Sequence, residues 1–292
     1  MQKQRFKVGL SAAICTIICW SSAFPAIRLA LKDFEPTQIA FIRYLIASSI
    51  FSIIAVFIRL RMPKWSDLVS LTLLTLSGHV AYNLLLGYGQ TKIQSATASF
   101  LVSTSPLWIA VVGATLFREK LTISMISGLL LSLIGVGVIA IGRSGGLYVN
   151  SYAVLILIAA FFQATYSLGT RSILSRCTPL QVTSIVCFVS LTFLLPFSVS
   201  AFNNARTSGY DSIIAVVSLG IFPTVIGYWT WAYAVSILPT SLIGALLYLV
   251  PFVTMLLGWL ILGEAPSVVS SFGGILILIG VGAVRYFSPE KQ

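Results

Sequence analysis

The chain has 292 residues, 58% of them hydrophobic and only 9% charged, and its mean hydropathy is +0.99. Soluble domains carry about 45–50% apolar residues, so this chain cannot cover itself with polar surface, and a bilayer is its natural solvent. Its 18 Lys and Arg against 7 Asp and Glu give a net charge of +11, but these residues make no stripe for nucleic acid. They sit singly or in small groups between apolar runs, as loops at a membrane surface do.

A spanning helix needs about 20 mostly apolar residues, and ten segments qualify in chain order: 8–31, 36–60, 67–89, 93–117, 121–142, 149–172, 179–200, 211–235, 241–263 and 267–287. The first follows a basic Lys3, Arg5, Lys7 stretch. It lacks a small-x-small cleavage site and runs too long for a signal peptide, so it is expected to span. It offers Trp20, Ser21 and Ser22, then Pro25. The second holds Arg43 about two turns inside, where a guanidinium snorkels or pairs with backbone carbonyls; a structural role is expected.

The third span contains the only histidine, in LSGHVAYNLLLGYGQ (76–90). Thr72, Thr75, His79, Tyr82, Asn83 and Leu86 are three or four apart and share a face. A polar stripe in hydrocarbon must face protein or water. His79 therefore reads as lining a substrate cavity near mid-membrane; the plainer alternative is a hydrogen bond to a neighbouring helix. Its expected role is neutral hydrogen bonding, because charging an imidazole there is costly. Proton binding in one half of a transport cycle is the second option.

The remaining spans add neutral polar and aromatic groups. The fourth offers Ser99, Ser103 and Trp108 around Pro106; the sixth, Gln163 and Tyr166; the eighth, Thr224 beside Pro223, then Tyr228 and Trp231; the ninth, Gly244 and Tyr248 before Pro251. With His79, Tyr82, Asn83 and Trp20 these would form an aromatic-walled pocket suited to a mostly apolar ligand with a few hydrogen-bonding groups. Interfacial anchoring or packing is the alternative for each aromatic. Pro25, Pro106, Pro223 and Pro251 each free a backbone carbonyl, which makes a hinge in a transporter and a kink in a static bundle. Glu119 and Glu264 stand before a following helix, where negative charge suits an N-terminus, and are expected to be structural. Cys15, Cys19, Cys177 and Cys187 match no zinc framework and read as small core residues. No metal and no cofactor is expected.

Shifting the sequence by 145 superposes Tyr88 on Tyr233, Pro106 on Pro251, Gly113 on Gly258, Glu119 on Glu264, Gly128 on Gly273, Gly135 on Gly280 and Gly137 on Gly282. A shift of 143 superposes Arg28 on Arg171 and Pro36 on Pro179. Chance recurrence of Gly and Pro does not explain one register that includes both glutamates. The expected fold is all-α: ten transmembrane helices as two inverted five-helix repeats, 8–142 and 149–287. An odd helix count turns the second copy upside down, as in secondary transporters. Basic residues divide 12 to 5 between the two sides if the N-terminus is cytoplasmic, so both termini are expected there.

STSPLWIAVVGATLFREKLT with SGLLLSLIGVGVIAIG, and LYLVPFVTMLLGWLILGEAPSVVSSFGGILILIGVGAV, resemble the closing part of an EamA domain of the drug/metabolite transporter superfamily; WSSAFPAIRLAL and the Pro36…Arg43 helix start resemble its opening. The resemblance covers nearly the whole chain as two units. It implies a central cavity lined by spans 1, 3, 4, 6, 8 and 9, with spans 5 and 10 peripheral, and an amino-acid or metabolite exporter of a bacterial inner membrane. Small four-helix multidrug members carry a buried glutamate in their first helix. Here all seven acids, Asp33, Glu35, Asp67, Glu119, Asp211, Glu264 and Glu290, lie at helix ends or in loops, which argues against large cationic substrates.

The expected function is therefore secondary transport of small amphipathic metabolites, amino acids foremost, by alternating access and outward, in a monomer or weak homodimer. No GxxxxGK[ST] loop is present for ATP. An intramembrane enzyme, an exporter of drugs or other metabolites, and a channel-like protein are the alternatives. Ser77 and His79 point in different directions on a helix, and no acid at that depth orients the imidazole, so no catalytic residue is expected.

Overall fold

The computed structural model describes residues 2–58, 63–116, 123–141, 150–238, 246–247 and 249–286. Backbone in hydrocarbon must satisfy its own N–H and C=O groups, and the apolar runs accordingly become helices. In order they are α1 (Gln2–Ala30), α2 (Pro36–Ile58), α3, α4 (Ser95–Val102), α5 (Ser105–Leu116), α6 (Ile123–Ile141), α7 (Ser151–Leu174), α8, α9, α10 (Val250–Leu262) and α11 (Val268–Tyr286). Three of them change pitch. α3 runs Trp65–Thr75, passes through a π segment at Leu76–Ala81 and resumes at Tyr82–Gln90. α8 joins Pro179–Leu194 to Ser198–Ala205 through a 3₁₀ turn, Leu195–Phe197. α9 runs Tyr210–Leu219, a π segment at Gly220–Ile226, then Gly227–Ile237.

Among the described residues there is no strand. Among the described residues six helices, α1, α2, α3, α7, α8 and α9, are long and apolar enough to cross a membrane; α6, α10 and α11 contain shorter apolar stretches. The expected fourth span is two helices, α4 and α5, broken at Ser103 and Thr104. Pro106 has no N–H to give the Val102 carbonyl, and the Ser105 hydroxyl donates to that carbonyl instead, at 2.8 Å.

The same repair recurs at two other prolines. Pro25 lies inside α1 and leaves the Ser21 carbonyl without its helical donor; the Thr254 hydroxyl of α10 donates to it at 3.4 Å. Pro223 lies in the α9 π segment and leaves the Leu219 carbonyl, to which Thr224 donates through Oγ1 at 2.8 Å. Hydroxyls thus cover the freed carbonyls, and the helices continue or restart without an orphaned acceptor.

Two apolar clusters organise the bundle. One joins Phe24, Ile27, Leu86, Phe100, Ile156 and Leu219 from α1, α3, α4, α7 and α9. The other packs Phe41, Tyr44 and Phe51 of α2 against Cys187 and Leu194 of α8. The cysteines are free thiols; Cys19, Cys177 and Cys187 are buried and Cys15 is half-buried. Val56, Phe57, Ile123 and Val268 are exposed, as suits side chains facing lipid.

α6 and α11 pack through small residues. A Cβ on Gly135 would collide with the Gly273 carbonyl, and one on Gly280 with the Gly128 carbonyl. Between these contacts the Ser132 hydroxyl donates to the Ile277 carbonyl at 3.2 Å. Position 135 meets 273 while 128 meets 280, so the index rises along one helix as it falls along the other: the pair is antiparallel.

Candidate functional site

The expected site residues separate into two groups. The first surrounds His79, which is 3% exposed and sits in the π segment of α3. Its ring packs against Tyr166 of α7 at 4.5 Å between centroids, nearly perpendicular, and against Tyr228 of α9 at 5.3 Å. Gly78 permits this approach, since a Cβ there would collide with the Tyr166 side chain. Tyr228 in turn meets Trp20 of α1 at 5.7 Å, and Trp20 meets Trp231 at 5.0 Å. Four helices thus contribute one continuous aromatic wall.

Under that wall lies a chain of polar side chains. Arg43 of α2 is 6% exposed; its Nε donates to Thr224 Oγ1 at 2.5 Å and its Nη1 to Asn83 Oδ1 at 2.7 Å. Asn83 Nδ2 donates to the Tyr44 hydroxyl oxygen at 2.9 Å and to the His79 carbonyl at 2.7 Å. Tyr44 Oη lies 3.1 Å from His79 Nδ1. Arginine can only donate, so Asn83 must turn its oxygen to Arg43 and its amide nitrogen to Tyr44. Tyr44 thus accepts from Asn83 and has both His79 Nδ1 and the Ser190 hydroxyl within reach. The polar chain runs from Arg43 through Asn83 to Tyr44 and the His79 ring. Tyr82 packs at the edge of the main apolar cluster, and Arg43 is within electrostatic reach of it and of Tyr228.

The second group lies beside the first along α7. Gln163 Oε1 accepts from the Ser105 hydroxyl at 3.0 Å, and Trp108 meets Phe161 at 5.5 Å. Ser99 and Ser103 donate to carbonyls of their own segment, Ala96 and Ser99. Thr72 and Thr75 likewise bond back to Leu68 and Leu71, so the polar stripe of α3 opens toward partners only from His79 onward. Tyr248 and Glu119 lie outside the described residues. Pro251 starts α10 at its first turn, where a missing N–H costs nothing.

Ion pairs mark the bundle's ends. Arg28 Nε binds Glu264 at 2.9 Å, and its Nη1 donates to the Gln90 and Thr91 carbonyls. Glu264 follows the left-handed Gly263 (φ 65°) that closes α10. It accepts from the Ser95 N–H at 3.0 Å, so its charge meets the N-terminus of α4, not that of α11. Arg28 and Glu264 line a cavity of about 640 Å³ with Lys32, Thr91, Asp211 and Ile261 among others. It lies where α1, α3 and α10 end and α9 begins. Asp67, at the start of α3, pairs with Arg176 at 2.7 Å. Asp33 accepts from the Gly209 N–H at 2.9 Å; a hydrogen bond from Ser212 and this one hold its carboxyl below the usual carboxylate range.

The sequence reading misses Tyr44, and it places Arg43 away from the site. The available signal was the position itself: Arg43 and Tyr44 stand together inside a long apolar run, where ionisable groups are costly and usually functional.

Comparison with known proteins supplies the lineage of this arrangement. The EamA-like transporter family profile matches the chain twice, over residues 7–141 and 150–286. The chain belongs to the EamA-like transporter family. It is 32% identical over 270 residues to a protein of Streptantibioticus cattleyicolor named "Probable terminal-alkyne amino-acid exporter", covering 92% of this chain and 91% of that one. It is 25% identical to a "Probable amino-acid metabolite efflux pump" of Salmonella typhimurium, with 92% of each covered. A solved structure titled "Crystal structure of protein" matches with TM-score 0.61 at 22% identity, covering 97% of this chain and 96% of the other; at that identity it speaks for the fold alone. Family membership and the apolar helices make this EamA protein a multi-pass membrane transporter.

Proposed function

We propose that this EamA-family chain is a secondary transporter that exports small amphipathic metabolites, amino acids foremost, from the cytoplasm by alternating access. The observation that carries the reading is the meeting of buried His79 and Asn83 with half-buried Tyr166, Tyr228, Trp20 and Trp231. It combines apolar walls with a few fixed polar groups drawn from separate helices, the makeup of a small-ligand site. The amino-acid names of two relatives agree with it. No acid stands in the network, which favours neutral or zwitterionic substrates over large cations.

The proposed architecture is ten spans in two inverted repeats, 8–142 and 149–287. Two observations support it beyond the sequence register. The π segments begin at Leu76 and Gly220, and Leu76–Ala81 moved by 145 falls inside Gly220–Ile226. The α6–α11 contacts are also reciprocal under the same offset: Gly135 against Gly273 and Gly280 against Gly128. Reciprocal contacts are the signature of a two-fold relation. For an antiparallel pair crossing a bilayer, the axis of that relation lies in the membrane plane.

Purified protein in liposomes tests the function. Counterflow of labelled L-phenylalanine or L-leucine is expected, competed by other aromatic and branched amino acids. Competition by quaternary ammonium drugs without competition by amino acids reverses the substrate choice. Product formation without flux favours an intramembrane enzyme, and ion current favours a channel. Orientation has its own test: a cytoplasm-active reporter fused after Gln292 should be active and a periplasm-active one silent. The opposite result overturns the N-in, C-in topology and the export direction.

A further inference from the structure

Arg43 carries a positive charge into a part of the bundle where, among the described residues, its hydrogen-bond partners are neutral. Its side chain is more than nine-tenths buried. Of the five N–H groups on a guanidinium, one goes to Thr224 and one to Asn83. The other three have no acceptor among the described residues. Nor does any described carboxylate approach it: Glu264 is held by Arg28, Asp67 by Arg176, and Asp33 by the Gly209 N–H. A buried charge is ordinarily paired, because desolvation is costly when it is not. A buried arginine serving only as a helix tie would need acceptors for its donors and a counter-charge, and the described residues supply neither in full.

The surroundings also dictate the shape of what would complete it. Thr224 and Asn83 hold two sides of the guanidinium fork, so its plane is fixed before any ligand arrives. The three remaining donors are both N–H groups of Nη2 and the second N–H of Nη1, and one from each nitrogen can meet the two oxygens of a carboxylate. The aromatic wall follows from the same network, through Asn83 to the His79 backbone and through Tyr44 to the His79 ring. A carboxylate joined to an apolar or aromatic group fits both parts at once.

We propose that Arg43 binds the carboxylate of the transported molecule and so makes a free carboxylate a requirement for recognition. This rests on reading the His79 cluster as the substrate site. The ammonium of an amino acid has no acidic partner here, so N-acylated amino acids and other apolar carboxylic acids should be accepted while amino-acid amides and the corresponding amines are refused.

The test uses a matched pair of probes, phenylacetate and phenylacetamide, which share a ring and differ in charge. Binding to the purified full-length protein is followed by tryptophan fluorescence, since Trp20 and Trp231 stand in the wall. Wild type is expected to prefer phenylacetate by about 10-fold or more, the scale of a charge-assisted hydrogen-bond pair. Arg43→Gln should bring the two probes within about 2-fold, and Arg43→Lys should retain part of the preference, having the charge without the fork. Equal binding of both probes by wild type overturns the proposal, whatever the variants do. So does a preference that survives in Arg43→Gln. Amino-acid counterflow without a carboxylate preference leaves the transport reading standing and removes this one. An Arg43-dependent preference without any flux does the reverse.

Discussion

The π segment of α3 and that of α9 occupy equivalent positions in the two halves that the family profile matches, yet they present different chemistry. Where the first half has His79 and Asn83, the second, 145 residues on, has Thr224 and Tyr228. With the offset of 143 that relates Pro36 to Pro179, Arg43 and Tyr44 correspond to Val186 and Cys187, both buried in the apolar contacts of α8. The backbone defect is common to both halves; the cation, the imidazole and the amide belong to the first alone. The second half answers with an acceptor for Arg43 and a ring for His79. Under the alternating access proposed above, similar halves would open to two sides, while unequal side chains would let one ligand bind in one pose.

The largest expected effect falls on the polar half. His79→Ala removes the end of the hydrogen-bond chain from Arg43 and leaves a hole beside Tyr166 and Tyr228. Flux of the preferred substrate into proteoliposomes should fall roughly 10- to 100-fold, the scale of a lost buried hydrogen bond plus packing. His79→Gln keeps a neutral polar group and should recover to within about 3-fold of wild type. Loss in both variants, with wild-type flux titrating near neutral pH, replaces this role with proton coupling. Normal flux in both makes His79 a packed core residue and dissolves the contrast between the halves.

The common backbone predicts equal effects where the side chains are equal. Gly135→Ala and Gly280→Ala each push a methyl into a carbonyl of the facing helix, which cannot yield as a side-chain tip can. Each should lower stability in detergent by about 1–3 kcal/mol, read as thermal unfolding. Gly137→Ala and Gly282→Ala, where a Cβ would meet nothing within 4 Å, should change it by less than about 0.5 kcal/mol. A large effect at Gly135 with none at Gly280 breaks the two-fold relation between α6 and α11.

How much of this was legible follows the same division. Apolar run length located the helices, because hydrocarbon admits few other backbones. The break between α4 and α5 was written in Ser-Thr-Ser-Pro but read as a continuous span, since the repair by the Ser105 hydroxyl is a tertiary detail of one turn. His79, Tyr166, Tyr228, Trp20 and Trp231 were legible as a group through their depth in separate spans. Arg43 was visible and its neighbours were not: a period of 3.6 residues says which face it shares, not which helix that face meets. Ser99, Ser103, Trp108 and Gln163 had the same composition signal as the His79 group, yet their hydrogen bonds and ring contacts close on α4, α5 and α7.

A smaller loss of flux than at His79 is expected at Thr224, its counterpart in the second half. Its hydroxyl has two duties: it accepts from Arg43 Nε and donates to the Leu219 carbonyl freed by Pro223. Thr224→Val keeps the shape and removes both. Arg43 still holds Asn83, so the cost in stability is that of one charge-assisted and one neutral buried hydrogen bond, about 2–4 kcal/mol. Flux should fall by no more than about 10-fold, with substrate preference unchanged. The measurement is the same proteoliposome assay, run beside His79→Ala and on equal amounts of folded protein. Were Thr224→Val to cost as much as His79→Ala, both halves would supply the chemistry equally, and Thr224 would belong among the groups that touch the substrate instead of those that hold Arg43 in place.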